Sequence, residues 1–322
     1  MSNVLVTGAT GFVGTYLLEL LTKNNPEKTL IGWHRKYSTT PSSELASSSS
    51  SDILDSVEWH KVDILNRSRI RESLSEIHPQ EIYHCAAAAT VHGSWKNTAA
   101  ALKTNVYGTN LLLDAVREVS PDSKVLIPGS ALVYKTSARA LHETSPLEPV
   151  SPYGVSKLGQ ELVAKHFLRE GLSIIITRSF THFGPRQAST YVVSSFAKQS
   201  VQIEKGITPP TINVGNLDAK RDFTDVRDTV SAYEHLMKKG KSGWTYNVCS
   251  GRACSIGEIL NLLLGETHKN ISIHVDQSRL RPNDNELLVG DLSRIKTETG
   301  WEPTISLKDA LRHLLNYWRN VL

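Results

Sequence analysis

The chain has 322 residues, 39% of them apolar and 21% charged, and a formal net charge of +4 at pH 7. This length exceeds one ordinary domain, and the composition is that of a globular protein able to bury a large core. Interspersed acids and bases argue against a nucleic-acid partner, and no 18-residue apolar run argues for a membrane span, but a local site for an anionic substrate stays open.

A strand-like segment begins at Asn3 and leaves no room for a leader peptide. The three cysteines, Cys85, Cys249 and Cys254, lack metal-ligand spacing and read as reduced thiols, and no histidine pair has supporting ligands. The expectation is a cytoplasmic protein without a metal.

Val4-Leu5-Val6 predicts a short strand, and Val13, Leu17, Leu18, Leu20 and Leu21 predict an amphipathic helix after it. Between them runs Thr7-Gly8-Ala9-Thr10-Gly11-Phe12-Val13-Gly14. Glycines in G-x-x-G-x-x-G spacing permit a tight turn and close backbone approach to a pyrophosphate, whose charge then sits at a helix N-terminus. A glycine triplet alone also suits a structural turn; directly after a first strand it predicts a nucleotide loop.

The next strand, Thr29 to Trp33, ends in His34-Arg35, with no acid for a ribose diol. Arg35 suits a 2′-phosphate and so favours NADPH over NADH, a solvated arginine being the alternative. Residues 38–56, with Pro41-Ser42-Ser43 and the serines from Ser47 to Ser51, read as a polar surface loop. Val57 to Val62 predicts a strand leading into Asp63-Ile64. Ile82 to Cys85 predicts another, leading into Ala86, Ala87 and Ala88, whose small side chains admit a cofactor.

Residues 96–119 read as one helix carrying Leu102, Val106, Leu112, Leu113 and Val116, followed by the buried strand Val125-Leu126-Ile127. Strands alternating with helices predict an α/β fold with a doubly wound parallel sheet. Ser130 follows that strand, where ligands sit in such sheets. In Ser151-Pro152-Tyr153-Gly154-Val155-Ser156-Lys157 a loop enters a helix that places a phenol and an ammonium one turn apart. Singly, Ser130 also suits a cap, and Tyr-x-x-x-Lys a packed tyrosine before a surface lysine. Together they predict a carbonyl site: Ser130 stabilises the oxyanion, Tyr153 donates a proton, and Lys157 lowers the phenol pKa.

The glycine loop, Asp63-Ile64, the alanine run, Asn105, Ser130 and Tyr153-x-x-x-Lys157 resemble the extended short-chain dehydrogenase/reductase family over nearly the whole chain. The resemblance implies a Rossmann-type domain over 1–177 that binds NAD(P), with a segment returning to it at about 214–240. A smaller C-terminal α/β substrate-binding lobe would occupy 178–322. Cofactor contacts are implied for Gly8, Thr10, Gly11, Phe12, Val13, Gly14, Arg35, Asp63, Ile64, Ala86, Ala87, Ala88, Asn105, Tyr153 and Lys157.

The stretches 178–187, 214–228, 246–252 and 279–284 resemble the GDP-hexose branch of that family. The activity implied is NAD(P)H-dependent reduction of the C4 keto group of GDP-4-dehydro-6-deoxy-D-mannose to GDP-D-rhamnose. Substrate contacts are implied for Thr181, Val193, Lys198, Arg221, Arg281 and Asp284, the arginines on the diphosphate and Asp284 on a ribose. Without the family, Arg221-Asp222 and Arg281 read as surface ion pairs. Thr181 stands where many relatives have asparagine.

Leu132 stands where related 4,6-dehydratases carry a glutamate, and Phe223-Thr224 where they tend to have Trp-Gly. Both favour the reductase over a dehydratase, with a nucleotide-sugar 4-epimerase as a further alternative. A non-catalytic NAD(P)-sensing protein would show a broken Ser/Tyr/Lys set. Analogy implies a homodimer through helices near 100–118 and 153–169. Leu307, Ala310, Leu311, Leu314, Leu315 and Trp318 mark a core-facing helix.

Overall fold

Short β-branched runs make the strands, and their position in the sheet makes the site. The computed structural model describes residues 2–35, 55–267, 269–279 and 286–322, so most of the polar tract at 38–56, and both Arg281 and Asp284, lie outside the described residues. In chain order the strands are β1 (Asn3–Thr7), β2 (Thr29–His34), β3 (Glu58–Lys61), β4 (Glu81–His84), β5 (Lys124–Ser130), β6 (Ser173–Ser179), β7 (Thr181–Phe183), β8 (Thr211–Val214), β9 (Lys220–Asp225) and β10 (Thr245–Val248). Seven of them form one parallel sheet in the order β10-β6-β5-β4-β1-β2-β3. The chain winds outward from β1 in both directions, so the order reverses between β1 and β4. Ligands of open α/β sheets bind at the carboxyl ends of the strands flanking such a reversal.

Both faces of the sheet are covered at its centre, which is why β1, β5 and β6 carry continuous apolar runs. Val4 and Val6 of β1 face a core shared with Leu17, Leu18 and Leu21 of helix α1 (Phe12–Asn24). Leu5 points to the opposite core, with Ile70 and Leu74 of α2 (Arg67–Ile77).

The helix expected at 96–119 is interrupted. It comprises α3 (Val91–Lys96), α4 (Thr98–Leu102), a π-helical turn (Lys103–Tyr107) and α5 (Gly108–Val119). Asn97 ends one helix and caps the next, its side chain accepting from Ala100 N at 2.9 Å. The π turn surrounds Asn105, and such bulges frequently mark functional positions. The following helix, α6 (Pro152–Arg169), is bound to β6 by a buried ion pair, Arg178 to Glu161 at 2.6 Å.

After β6 the chain builds a second core. The strand β7 pairs with β9, β9 pairs with Ala253–Ser255 and Leu287–Leu288, and β8 pairs with Ser272–Val275. Helix α7 (Val192–Glu204) and the C-terminal helix Leu307–Val321 pack there through Phe196, Leu311, Leu314 and Trp318. The chain returns to the large sheet through α8 (Val226–Lys239), which shares a core with α1, and through β10 on its edge. That strand lies past residue 240, whereas β8 and β9, at the start of the 214–240 window, pair in the smaller sheets. No helix among the described residues is long and apolar enough to cross a membrane.

Candidate active site

Gly8 adopts φ +64°, a conformation open to glycine, and a Cβ there would lie 2.7 Å from the Ala86 backbone. A Cβ at Gly14 would stand 2.4 Å from the Gly8 carbonyl oxygen. Gly11 N closes the turn onto Gly8 O at 2.9 Å, and α1 begins at Phe12. Among the described residues no side chain caps this helix and no acid stands in its first turn. Thr10 and Gly11 are exposed, and Phe12 and Val13 are half-buried. A helix N-terminus with uncapped N–H groups behind a glycine cradle fits a dinucleotide diphosphate.

The surrounding loops suit the rest of a nucleotide. Arg35 is exposed just beyond the end of β2. Asp63 Oδ1 accepts from Leu65 N at 2.9 Å, and Ile64 is buried beneath that turn. Ala86 N donates to Thr7 Oγ1 at 3.1 Å, tying the loops after β1 and β4 together across the reversal. Asn105 is fully buried. Its Oδ1 accepts from Ala88 N at 2.8 Å, while Nδ2 donates to Ala88 O at 3.3 Å and Ser156 Oγ at 2.9 Å. Asn105 thus clamps the alanine loop from within.

Ser130 and Tyr153 meet because two turns interlock. Ser151 caps α6, its Oγ accepting from Gly154 N at 3.1 Å with Pro152 in the first turn. A Cβ on Gly154 would lie 2.4 Å from Leu132 O, so the helix start sits directly on the 3₁₀ turn Ala131–Val133 that follows Ser130. Burial pushes the Tyr153 phenol above its ordinary value, neighbouring Tyr191 adds to this, and a hydrogen bond with Ser130 opposes it.

Lys157 is 4% exposed and donates to Pro128 O and Gln160 Oε1, each at 2.6 Å. Burial pulls its ammonium down to about 8. The expectation that Lys157 lowers the phenol pKa thus gives way to a different balance, in which desolvation dominates the phenol and two carbonyl oxygens hold the lysine. Gln160, Thr109 and His84 stand behind Lys157 in a buried polar chain, and the sequence offered no motif for them.

The substrate-side expectations separate in space. Thr181 is half-buried in β7, and Phe12 of the glycine loop stacks on its neighbour His182 at 6.4 Å, which joins the cradle to the second core. Val193 is 2% exposed inside that core, where it serves packing. Lys198 lies over the Trp318 ring at 4.9 Å and lines a polar cleft of about 510 Å³ with Gln199, Gln202, Asn213 and Arg279. Arg279, unassigned from the sequence, gives this cleft a second cation.

Arg221 is half-buried in β9 and donates to Lys220 O at 2.8 Å. Its neighbour Asp222 is fully buried and accepts from Ser250 N, Ser250 Oγ, Gly251 N and Gly290 N. The alternative of a surface ion pair at Arg221-Asp222 is overturned for the aspartate, which anchors backbone.

With this geometry in place, the relatives are informative. GDP-6-deoxy-D-mannose reductase of Pseudomonas aeruginosa is 30% identical over 99% of this chain and 97% of its own. Human GDP-mannose 4,6 dehydratase is 26% identical over 97% of this chain and 90% of its own. Among solved structures, RMD from Pseudomonas aeruginosa complexed with NADPH superposes with a TM-score of 0.86 at 29% identity, covering all of both chains. UDP-glucuronic acid 4-epimerase from Bacillus cereus, in complex with UDP-glucuronic acid and NAD, gives 0.86 at 27% identity over 99% of this chain and 100% of that one. The Rossmann-type sheet, the glycine cradle and the Ser130, Tyr153 and Lys157 set accord with a match of residues 5–314 to the GDP-mannose 4,6 dehydratase family, and the chain belongs to that family within the extended short-chain dehydrogenase/reductases.

Proposed function

We propose that the chain catalyses NAD(P)H-dependent reduction of the C4 keto group of GDP-4-dehydro-6-deoxy-D-mannose, giving GDP-D-rhamnose. The observation that carries this reading is the start of α6, with Tyr153, seated on the turn that follows Ser130, and an aliphatic side chain, Leu132, two positions after that serine. The reductase from Pseudomonas aeruginosa and the NADPH complex of RMD from the same organism support it. The test supplies NADPH and the 4-keto-6-deoxy sugar to the purified protein; no loss of reduced-nicotinamide absorbance would overturn the reading.

A reduced nicotinamide, when bound, supplies the hydride for C4. The chain's own groups handle the oxygen and the proton. Ser130 Oγ accepts from Leu132 N at 3.2 Å, which orients the hydroxyl and leaves its hydrogen to donate to the carbonyl oxygen. Tyr153 gives its proton to that oxygen as negative charge develops. Because burial raises the phenol pKa, Tyr153 is in its acid form at neutral pH, the form that reduction requires. Lys157 keeps a positive charge nearby and would hold the nicotinamide ribose of a bound cofactor.

In this reading residues 1–177, with the returning segment, hold the cofactor, and residues 178–322 hold the GDP-sugar. Arg221 and Arg281 take the diphosphate, Asp284 a ribose, and Thr181 the sugar, while Lys198 contributes a further contact to the GDP-sugar and Val193 packs behind it. Arg35 takes the 2′-phosphate as a charged donor, a contact worth about 1.5–3 kcal/mol. Arg35→Ala is therefore expected to erode the ratio of kcat/KM for NADPH to that for NADH. An unchanged ratio would return Arg35 to the solvent.

The proposal includes a homodimer through the helices near 100–118 and 153–169. Leu102, Tyr107, Val155 and Leu162 are exposed on these helices, Leu162 by 58%. Large apolar side chains gathered on adjacent helices suit a buried interface. Light scattering is expected to give twice the chain mass for the parent and a shift towards one chain mass for Leu162→Glu. A parent already at one chain mass would end this part of the proposal.

A further inference from the structure

Among the described residues, the ionisable groups facing Lys157 carry no negative charge to hold it. The end of β4 presents His84 and Cys85. Burial pulls the His84 imidazole down to about 3 and pushes the Cys85 thiol up to about 12, so both are neutral around pH 7. Tyr153, on its own helix, and Tyr233, which faces Cys85 and Tyr153 from α8, are both raised by burial. Glu161, one turn along α6, is taken up by Arg178 and Lys165. What remains for the ammonium is two neutral oxygens, Pro128 O and Gln160 Oε1. The first belongs to the sheet, and the second is a side chain that the sequence was free to choose.

The orientation of that side chain is forced. Thr109 Oγ1 donates its only hydrogen to Asn105 O at 2.7 Å, so at the same oxygen it can only accept. Gln160 Nε2, 2.9 Å away, is therefore a donor to it, and the carboxamide oxygen must face Lys157. His84 Nε2, also 2.9 Å from Thr109 Oγ1, carries the imidazole hydrogen for the same reason. Its Nδ1 then accepts from the Thr7 hydroxyl at 2.9 Å, and Thr7 Oγ1 accepts from Ala86 N at 3.1 Å. Gln160, Thr109, His84 and Thr7 are each at most 1% exposed, so water does not compete for these bonds.

We infer that Gln160 is a positioning residue for Lys157: the buried chain Thr7–His84–Thr109 fixes its carboxamide so that two of the three ammonium hydrogens are committed and the charge is held beside Tyr153. The inference rests on the reductase reading for its kinetic consequence, but the lysine's own titration does not depend on that reading. The chain also ends at Ala86 N, in the loop that meets Gly8, so the placement of the lysine and the shape of the cofactor cradle share one set of hydrogen bonds.

The test compares Gln160→Met, which keeps bulk and removes the acceptor, with Gln160→Glu, which keeps an acceptor and adds charge. The Lys157 titration is read by ¹³C NMR of lysine Cε, with Lys157→Met identifying the resonance. Loss of the oxygen disfavours the charged form, so Gln160→Met is expected to lower the lysine pKa by about one unit, and Gln160→Glu to raise it by about one unit or more. With keto-sugar and NADPH, the alkaline limb of kcat/KM is expected to move in the same opposite senses. At pH 8 kcat for Gln160→Met is expected to fall about 5-fold, with KM nearly constant.

A residue that only packs would move both variants alike or move neither, and either result overturns the inference. Should Gln160→Met fail to fold, Thr109→Val frees the carboxamide to rotate and is expected to lower the lysine pKa in its place; an unchanged titration there would overturn the inference too. If the parent shows no turnover, the proposed function fails, while the NMR titrations still decide the role of Gln160.

Discussion

Tyr153→Phe is expected to lower kcat for keto-sugar reduction by ~10²-fold or more and to leave NADPH affinity within a few fold. The substitution keeps the ring, which is half-buried at the start of α6, and removes only the hydroxyl that meets Ser130. Ser130 retains its bond from Leu132 N, so the oxyanion partner stays in place while the proton donor is lost. Steady-state rates and nicotinamide fluorescence titrations separate the two effects. Turnover near the parent rate would remove the phenol from the mechanism.

The pH dependence carries a second check on the same assignment. The phenol, raised by burial, stays protonated as pH climbs past neutrality. Lys157, lowered to about 8, loses its charge first. The parent kcat/KM is therefore expected to fall as pH rises through about 8, on the lysine's titration rather than the tyrosine's, and the residual rate of Tyr153→Phe to fall over the same range.

The parts of this site that could be read from the sequence are those where one residue type is the only physical solution. Gly8 must tolerate φ +64° and the approach of Ala86, and no side chain does both. β1 and β5 are buried on two faces, so Val4-Leu5-Val6 and Val125-Leu126-Ile127 show as unbroken apolar runs. Tyr153 and Lys157 share a helix, where spacing alone puts them on one face.

Side chains that act across distant elements left no such mark. The π turn at 103–107 encircles Asn105, whose partners are Ala88, seventeen positions earlier, and Ser156, fifty-one positions later. Asp222 looked like half of a surface pair because its partners, the backbone N–H groups of Ser250, Gly251 and Gly290, depend on two distant turns. Gln160 looked like an ordinary polar helix position until Thr109 and His84 were brought beneath it by α5 and β4. Arg279 shows its relevance only once it and Lys198 line one cleft.

Given GDP-mannose and oxidised cofactor, the protein is expected to form no keto-sugar, whereas the 4-keto-6-deoxy sugar with NADPH is expected to be consumed with equimolar loss of reduced nicotinamide. Both reactions suit the same sheet, cradle, tyrosine and lysine, so the fold does not choose between them. Water elimination across C5 and C6 adds two proton transfers, one from C5 and one to the departing hydroxyl, and these call for a further acid and base near Ser130. The position that supplies a carboxylate in related dehydratases holds Leu132, a side chain with no exchangeable proton, packed against the cluster of Ala131, Tyr134 and Phe180. Beside it, the backbone of Leu132 is already engaged, its N–H on Ser130 and its O against Gly154. Carbonyl reduction needs only the one proton that Tyr153 carries. Accumulation of a 4-keto product from GDP-mannose would therefore require an acid from elsewhere in the pocket and would overturn the reductase assignment.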